Sequence, residues 1–268
     1  MDKVTDSNRA GWSRHAYEAW IRGKGRPEEL AEQLRRDPGK KLAPFGTLLG
    51  DLRGKRAANL LGSNGKAAVA LALLGAEVTV VDLSPENARY AGELAAAAGV
   101  RLRYIVSDVM AIPAEEPMEG FDLVLMELGI LHWLQDLRAF FGRVAGMLRP
   151  GGRMVLRDYH PVARKLLRWK GGQVTADGNY FDESLEPGVV PYAVFLTAEE
   201  RAGLSTVYTR GWTMGEIVTA VAEAGLMIRS LQEERGSAQR WVFPEEAPSG
   251  TEDRLPGIYI LAADRPPE

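Results

Sequence analysis

The sequence predicts an α/β protein: a doubly wound, mostly parallel sheet of seven strands with helices on both faces. Three observations carry this. From residue 57 onward, short apolar runs alternate with helical stretches, the pattern of βαβ units. Several runs, such as Val78–Val81 and Leu123–Met126, are continuously apolar, as strands covered on both faces must be. Glycine or proline closes most of the helical stretches. At 268 residues the chain has room for one large domain with an appendage.

The elements follow in order. Residues 10–50 read as helical and then loop-rich. Trp12, His15, Ala16, Ala19 and Trp20 recur at helical spacing, and Pro27 opens a second helix that Asp37-Pro38-Gly39 stops. Trp12, Tyr17 and Trp20 demand burial, yet so short a segment cannot form a core of its own. Residues 1–50 are therefore expected as a helical lid on a domain formed by residues 51–268. Ala57–Leu61 is a strand ending in the turn Gly62-Ser63-Asn64-Gly65, and a helix runs from Lys66 to Leu74 with Gly75 as its stop. Glu77–Val81 is the second strand and ends at Asp82. Ser84 caps the next helix, with Pro85 at its first position and Gly99 past its end. Arg101–Val106 and Phe121–Met126 are strands three and four. Trp133–Leu148 reads as a helix, ended by Arg149-Pro150-Gly151-Gly152. Arg153–Arg157 is the fifth strand and leads into Asp158-Tyr159-His160-Pro161. Residues 162–210 mix turn chemistry with large rings, which suits an inserted packed flap. Thr213–Ala224 is a helix; Leu226–Leu231 and Ile258–Ala262 are the last strands, separated by a Pro/Glu/Ser-rich loop.

Composition excludes several chemistries. The chain has 33 basic and 36 acidic residues, net −3, which disfavours nucleic acid as a partner. It has no cysteine, so disulfides, thiolate metal sites and cysteine nucleophiles are excluded, and no metal site is expected. Met1–Asn8 is polar and lacks the apolar core of a signal peptide. Ala67–Val81 is too short and too interrupted to span a bilayer. A cytoplasmic protein without a membrane partner, monomeric or homodimeric, is expected. Basic residues crowd residues 22–56 and the cluster Arg153, Arg157, Arg164, Lys165, Arg168 and Lys170. Both read first as solvated faces and second as patches for an anionic substrate or an RNA backbone.

One motif carries chemistry. A strand ends in the glycine-bearing turn Asn59–Gly65, a helix follows, and the next strand ends in Asp82. Such a turn brings backbone N–H groups close to a ligand, and the acid can accept from a ribose diol. Asp108 with Val109 ends the third strand, and Glu127-Leu128-Gly129 follows the fourth. In this order and spacing, residues 50–265 resemble the class I S-adenosylmethionine-dependent methyltransferases, of the small-molecule, type 11/25-like kind, whose fold is Rossmann-like. That family's first turn reads acid-x-Gly-x-Gly-x-Gly. Register from Asp82 puts Asn59 at the acid and Leu61, Ser63 and Gly65 at the glycines, with Gly62 one position off.

The resemblance implies S-adenosyl-L-methionine as cofactor and S-adenosyl-L-homocysteine as product. It implies a cofactor site of Asn59, Gly62, Ser63, Gly65, Asp82, Leu83, Asp108, Val109, Glu127 and Leu128, with Asp82 on the ribose and Asp108 and Val109 at the adenine. Glu127 is a candidate for the carboxylate that Asn59 lacks. His132, Tyr159 and His160 follow the carboxyl ends of strands four and five, where ligands of open α/β sheets bind, and are the candidate catalytic residues. The expected function is methyl transfer to an oxygen or nitrogen of a small molecule. The alternatives are an RNA-modifying methyltransferase and a non-catalytic adenosyl-ligand-binding protein.

Overall fold

The computed structural model describes residues 3–236, 242, 244–248 and 250–267. The strands of the main sheet are β1 (Arg56–Leu60), β2 (Glu77–Asp82), β3 (Leu102–Val106), β4 (Phe121–Glu127), β5 (Leu148–Tyr159), β6 (Met227–Arg235) and β7 (Pro256–Asp264). They form one seven-stranded sheet in the order β6-β7-β5-β4-β1-β2-β3. β1 runs parallel to β2 and β4, and β2 parallel to β3. β7 runs antiparallel to both β5 and β6. The sheet is thus the mostly parallel α/β sheet that the apolar runs predict. Strand order reverses between β1 and β4, the switch point where open α/β sheets bind ligands. The central strands are covered on both faces: every residue of β1 after Arg56, and of β2 after Glu77, is buried.

The longer helices are α1 (Lys3–Trp12), α2 (Ala16–Lys24), α3 (Pro27–Arg36), α4 (Lys66–Leu73), α5 (Pro85–Ala98), α6 (Leu137–Met147) and α7 (Met214–Glu223). No helix among the described residues is long and apolar enough to cross a membrane. The chain divides into two compact units. The first holds residues up to Leu125 together with Met147–Arg149 and Pro187–Tyr208. There Trp12 and Trp20 pack edge-on against Tyr192, with ring centroids 5.4 and 5.9 Å away. The Tyr192 hydroxyl lies 2.6 Å from the Gly11 carbonyl oxygen. The second unit holds Met126–Gly146, Pro150–Glu186 and the chain from Thr209 onward.

The structure departs from the sequence reading in four places. The helical spacing from Trp12 to Trp20 spans a break, because His15 has a left-handed φ of 62° and separates α1 from α2. The helix expected from Trp133 begins at Leu137. Leu131–Trp133 forms its own 3-10 turn, and the Asp136 carboxylate accepts from Ala139 N–H at 3.0 Å, starting α6. Residues 162–210 divide between the two units, so Tyr192 and Phe195 belong with the N-terminal helices and Tyr180 and Phe181 do not. The basic cluster after Arg153 is no solvated helix face. Arg153 pairs with Asp264 at 2.7 Å and Arg157 with Glu234 at 2.6 Å, while Lys165 donates to the carbonyls of Asp182 and Gly211 at 2.5 and 2.9 Å. The Pro/Glu/Ser-rich loop before β7 lies partly outside the described residues, as do Met1 and Asp2 of the polar N-terminus.

Candidate active site

In the first unit the chain leaves β1 at Leu60 and turns through residues 61–65 into α4. Leu61 and Ser63 have φ values of 48° and 49°. Left-handed backbone costs an L side chain about 1–2 kcal/mol per residue. These are two of the positions where the resembling family has glycine, so the loop keeps a glycine conformation without the glycines. Gly62 is required for another reason. A Cβ there would lie 2.5 Å from Val80 Cγ1 and 2.8 Å from Asn59 Oδ1. At Gly65 both demands meet: φ is 75°, and a Cβ would lie 2.5 Å from Ala91 Cβ.

Asp82 ties this loop to α5. Its carboxylate accepts from Ser63 N–H at 2.9 Å, Ser84 N–H at 3.0 Å and Asn87 Nδ2 at 3.0 Å. Burial pushes its carboxyl above the ordinary aspartate value, and the three donors oppose that shift. Asn87 is held in turn by Trp20, whose Nε1–H donates to Asn87 Oδ1 at 2.7 Å. Helix α2 therefore reaches Asp82 through one side chain. Asn59 donates from Nδ2 to the Leu125 carbonyl at 3.2 Å, while its Oδ1 is buried and accepts from no group. Leu83 is half-buried and Val109 buried. Asp108 accepts from Met110 N–H at 2.9 Å, which shapes the turn after β3.

In the second unit a buried carboxylate organises the loop after β4. Asp158 accepts from the N–H groups of Gly129 and Tyr159 at 2.7 and 2.8 Å, and of Ile130 and Leu131 at 3.1 and 2.9 Å. Burial pushes its carboxyl up against the pull of those four donors. Glu127 is half-buried at the end of β4. Leu128 has a φ of 51°, and its N–H donates to the Arg157 carbonyl at 2.6 Å. His132, Asp158, Tyr159, Arg164, Trp212 and Tyr259 line a small cavity in this unit. Burial pushes the His132 imidazole well below its ordinary value, and the Arg164 charge adds to that. The Tyr159 phenol is pushed up by burial and by Asp158. His160 is held elsewhere: Nδ1 accepts from Val162 N–H at 3.2 Å, and Nε2 lies 2.9 Å from Glu233 Oε1. Of the two histidines after strands four and five, His132 borders the cavity and His160 fastens the chain to β6.

Sequence reasoning missed several contributors. Asp158 was seen only as a neighbour of His160, and Arg164 only as one cation of a cluster. Trp20 and Asn87 carry no motif, and Trp212 and Tyr259 sit in sequence with no polar signature.

The methyltransferase domain family matches residues 61–156. The chain is 32% identical over 154 residues to a ubiquinone biosynthesis O-methyltransferase of Xanthomonas euvesicatoria, covering 57% of this chain and 61% of that protein. It is 27% identical over 135 residues to a demethylmenaquinone methyltransferase of Thermus thermophilus, covering 45% and 60%. It therefore spans about three-fifths of the length of these curated relatives. A solved S-adenosylmethionine-dependent methyltransferase from Mesorhizobium loti superimposes with a TM-score of 0.64, at 23% identity over 84% of this chain and 97% of that one. At that identity the likeness is one of fold. Residues 61–156 thus resemble the methyltransferase domain family, and the chain has the fold of the S-adenosylmethionine-dependent methyltransferases.

Proposed function

We propose that this protein transfers a methyl group from S-adenosyl-L-methionine to an oxygen or nitrogen atom of a small molecule. The observation that supports this most is the turn between Asn59 and Asp82. A carboxylate offers about four acceptor sites, and Asp82 uses three, which leaves one for a ribose hydroxyl. The unpaired Oδ1 of Asn59 offers a buried acceptor to a donor such as an ammonium group, and Gly62 holds backbone where no side chain fits. These features suit an adenosyl cofactor. When bound, the cofactor supplies an electrophilic methyl on a sulfonium. Asp82 would then bind the ribose, and Asp108 and Val109 would border the adenine. The N-terminal helices and residues 187–208 serve as a lid that excludes water during transfer.

His132 accepts the hydrogen bond of the attacking group. The sign of its titration supports the role, since the folded imidazole stays neutral where a free histidine, at about 6.5, takes a proton. The same shift makes a stability prediction. The unfolded chain binds the proton first as pH falls below about 6.5, so stability present above that value is lost toward the lower folded value. His160 is shifted down as well and acts with the same sign. Melting followed from pH 7.5 to 5.5 is expected to fall with acidity, and His132→Gln to flatten part of the slope. In single-turnover assays with a methylated product, His132→Gln is expected to lower the rate about 100-fold. The dissociation constant of S-adenosyl-L-homocysteine should stay unchanged. A variant with the wild-type rate would remove His132 from the reaction.

The relatives favour oxygen as the accepting atom, because the curated names include an O-methyltransferase of ubiquinone biosynthesis.

A further inference from the structure

The left-handed backbone at Ser63 is anchored on both sides. Each peptide group is planar, so fixing the groups before and after a residue fixes its two rotations. Before Ser63, its N–H donates to the Asp82 carboxylate at 2.9 Å. After it, its carbonyl accepts from the Tyr104 hydroxyl at 2.7 Å. Tyr104 lies on β3 opposite Val80 of β2, and Asp82 ends β2, so both anchors belong to the sheet and not to the turn. Burial, and then the Asp82 charge, push the Tyr104 phenol well up, so it keeps its proton and donates. Two backbone bonds also hold the turn. Gly62 N–H donates to the Val81 carbonyl at 3.3 Å, and Gly65 N–H to the Gly62 carbonyl at 3.0 Å. Neither of them uses a peptide atom of Ser63.

At a φ of 49° Ser63 occupies a region that side chains disfavour and glycine does not. A serine there relaxes to extended or right-handed backbone unless groups outside the turn oppose the change. Asp82 and Tyr104 are those groups. We propose that Tyr104 is a positioning residue for the cofactor, its hydroxyl holding Ser63 in the left-handed form that a glycine would adopt unaided. This rests on the reading of the Asn59–Asp82 turn as the adenosyl site, to which it adds a residue from β3. Tyr104 acts through Ser63 and not on the reacting atoms.

The test is a double-substitution cycle on the intact chain with Tyr104→Phe and Ser63→Gly. It is read by titration with S-adenosyl-L-homocysteine and by amide exchange at residue 63 and Gly65 without ligand. Tyr104→Phe keeps the ring and loses one oxygen, so it is expected to fold. It should weaken S-adenosyl-L-homocysteine about three- to tenfold, the range for one neutral hydrogen bond. Exchange at residue 63 and Gly65 should quicken at least about threefold, as local opening becomes easier. With Ser63→Gly in place, the same Tyr104→Phe change should cost less than about twofold in affinity and in exchange, because glycine takes the left-handed form without help. That coupling separates positioning from general support, since a tyrosine that only packs the sheet would cost the same in both backgrounds. A loss of affinity below about threefold in Tyr104→Phe, or a loss as large in the Ser63→Gly background as in wild type, overturns the proposal. No binding of S-adenosyl-L-homocysteine by wild type, with the exchange coupling intact, would instead remove the adenosyl reading and leave Tyr104 as the clamp of the turn.

Discussion

Asp82→Ala is expected to lower the melting temperature by about 6–12 °C and to weaken S-adenosyl-L-homocysteine at least about tenfold. The carboxylate is the shared acceptor of Ser63 N–H, Ser84 N–H and Asn87 Nδ2. Removing it strands three donors in a buried place, each at about 1–3 kcal/mol, softened where water enters. The Ser63 amide matters most for binding, because its residue already carries left-handed backbone and loses the one bond that Asp82 gives the turn. Trp20→Phe is the graded companion. It leaves Asn87 Oδ1 without its indole donor and should cost about 1 kcal/mol, with a smaller loss of affinity. Calorimetric titration and thermal melting read both variants. Wild-type affinity and melting in Asp82→Ala would contradict the assignment.

Asp158→Ala should be the most destabilising single substitution in the second unit. Four backbone N–H groups, of Gly129, Ile130, Leu131 and Tyr159, lose their acceptor at once. Even with partial rescue by water, at least about 4 kcal/mol is expected, near the upper end for point substitutions. That corresponds to a melting decrease of about 10 °C or more. Asp158→Asn keeps one oxygen acceptor but turns an NH₂ group toward amide donors, so it should recover less than half of the loss. Hydrogen exchange at Gly129–Leu131 is expected to quicken in both variants. Slow exchange there with unchanged melting would show that the loop is held by something other than Asp158.

The legible parts of the fold were those with local chemical causes. β1, β2 and β4 announced themselves because buried parallel strands must be apolar on both faces. Helix α5 was readable from Ser84, whose hydroxyl accepts from Asn87 N–H at 3.2 Å. The start of α6 had a signal of the same kind in Asp136, overlooked because Trp133 extended the apolar pattern backward. The break at His15 had none, since a left-handed residue leaves helical spacing on either side intact. Within the candidate site, the turn at Asn59–Gly65 and its partner Asp82 were readable from spacing. The left-handed φ of Leu61 and Ser63 was not, because neither residue type favours that region. The cavity around His132 was half legible. Its histidine and tyrosine follow strand ends, but Arg164, Trp212 and Tyr259 arrive from distant segments, and only tertiary packing brings them together.

The central claim is that the turn between Asn59 and Asp82 holds an adenosyl cofactor. Titrating the intact chain with S-adenosyl-L-homocysteine, in parallel with Asp82→Asn, tests it most directly. One-site saturation with a dissociation constant below about 100 μM, weakened at least about tenfold in the variant, is the predicted result. No heat of binding at about 1 mM, or equal affinity in both proteins, would contradict it.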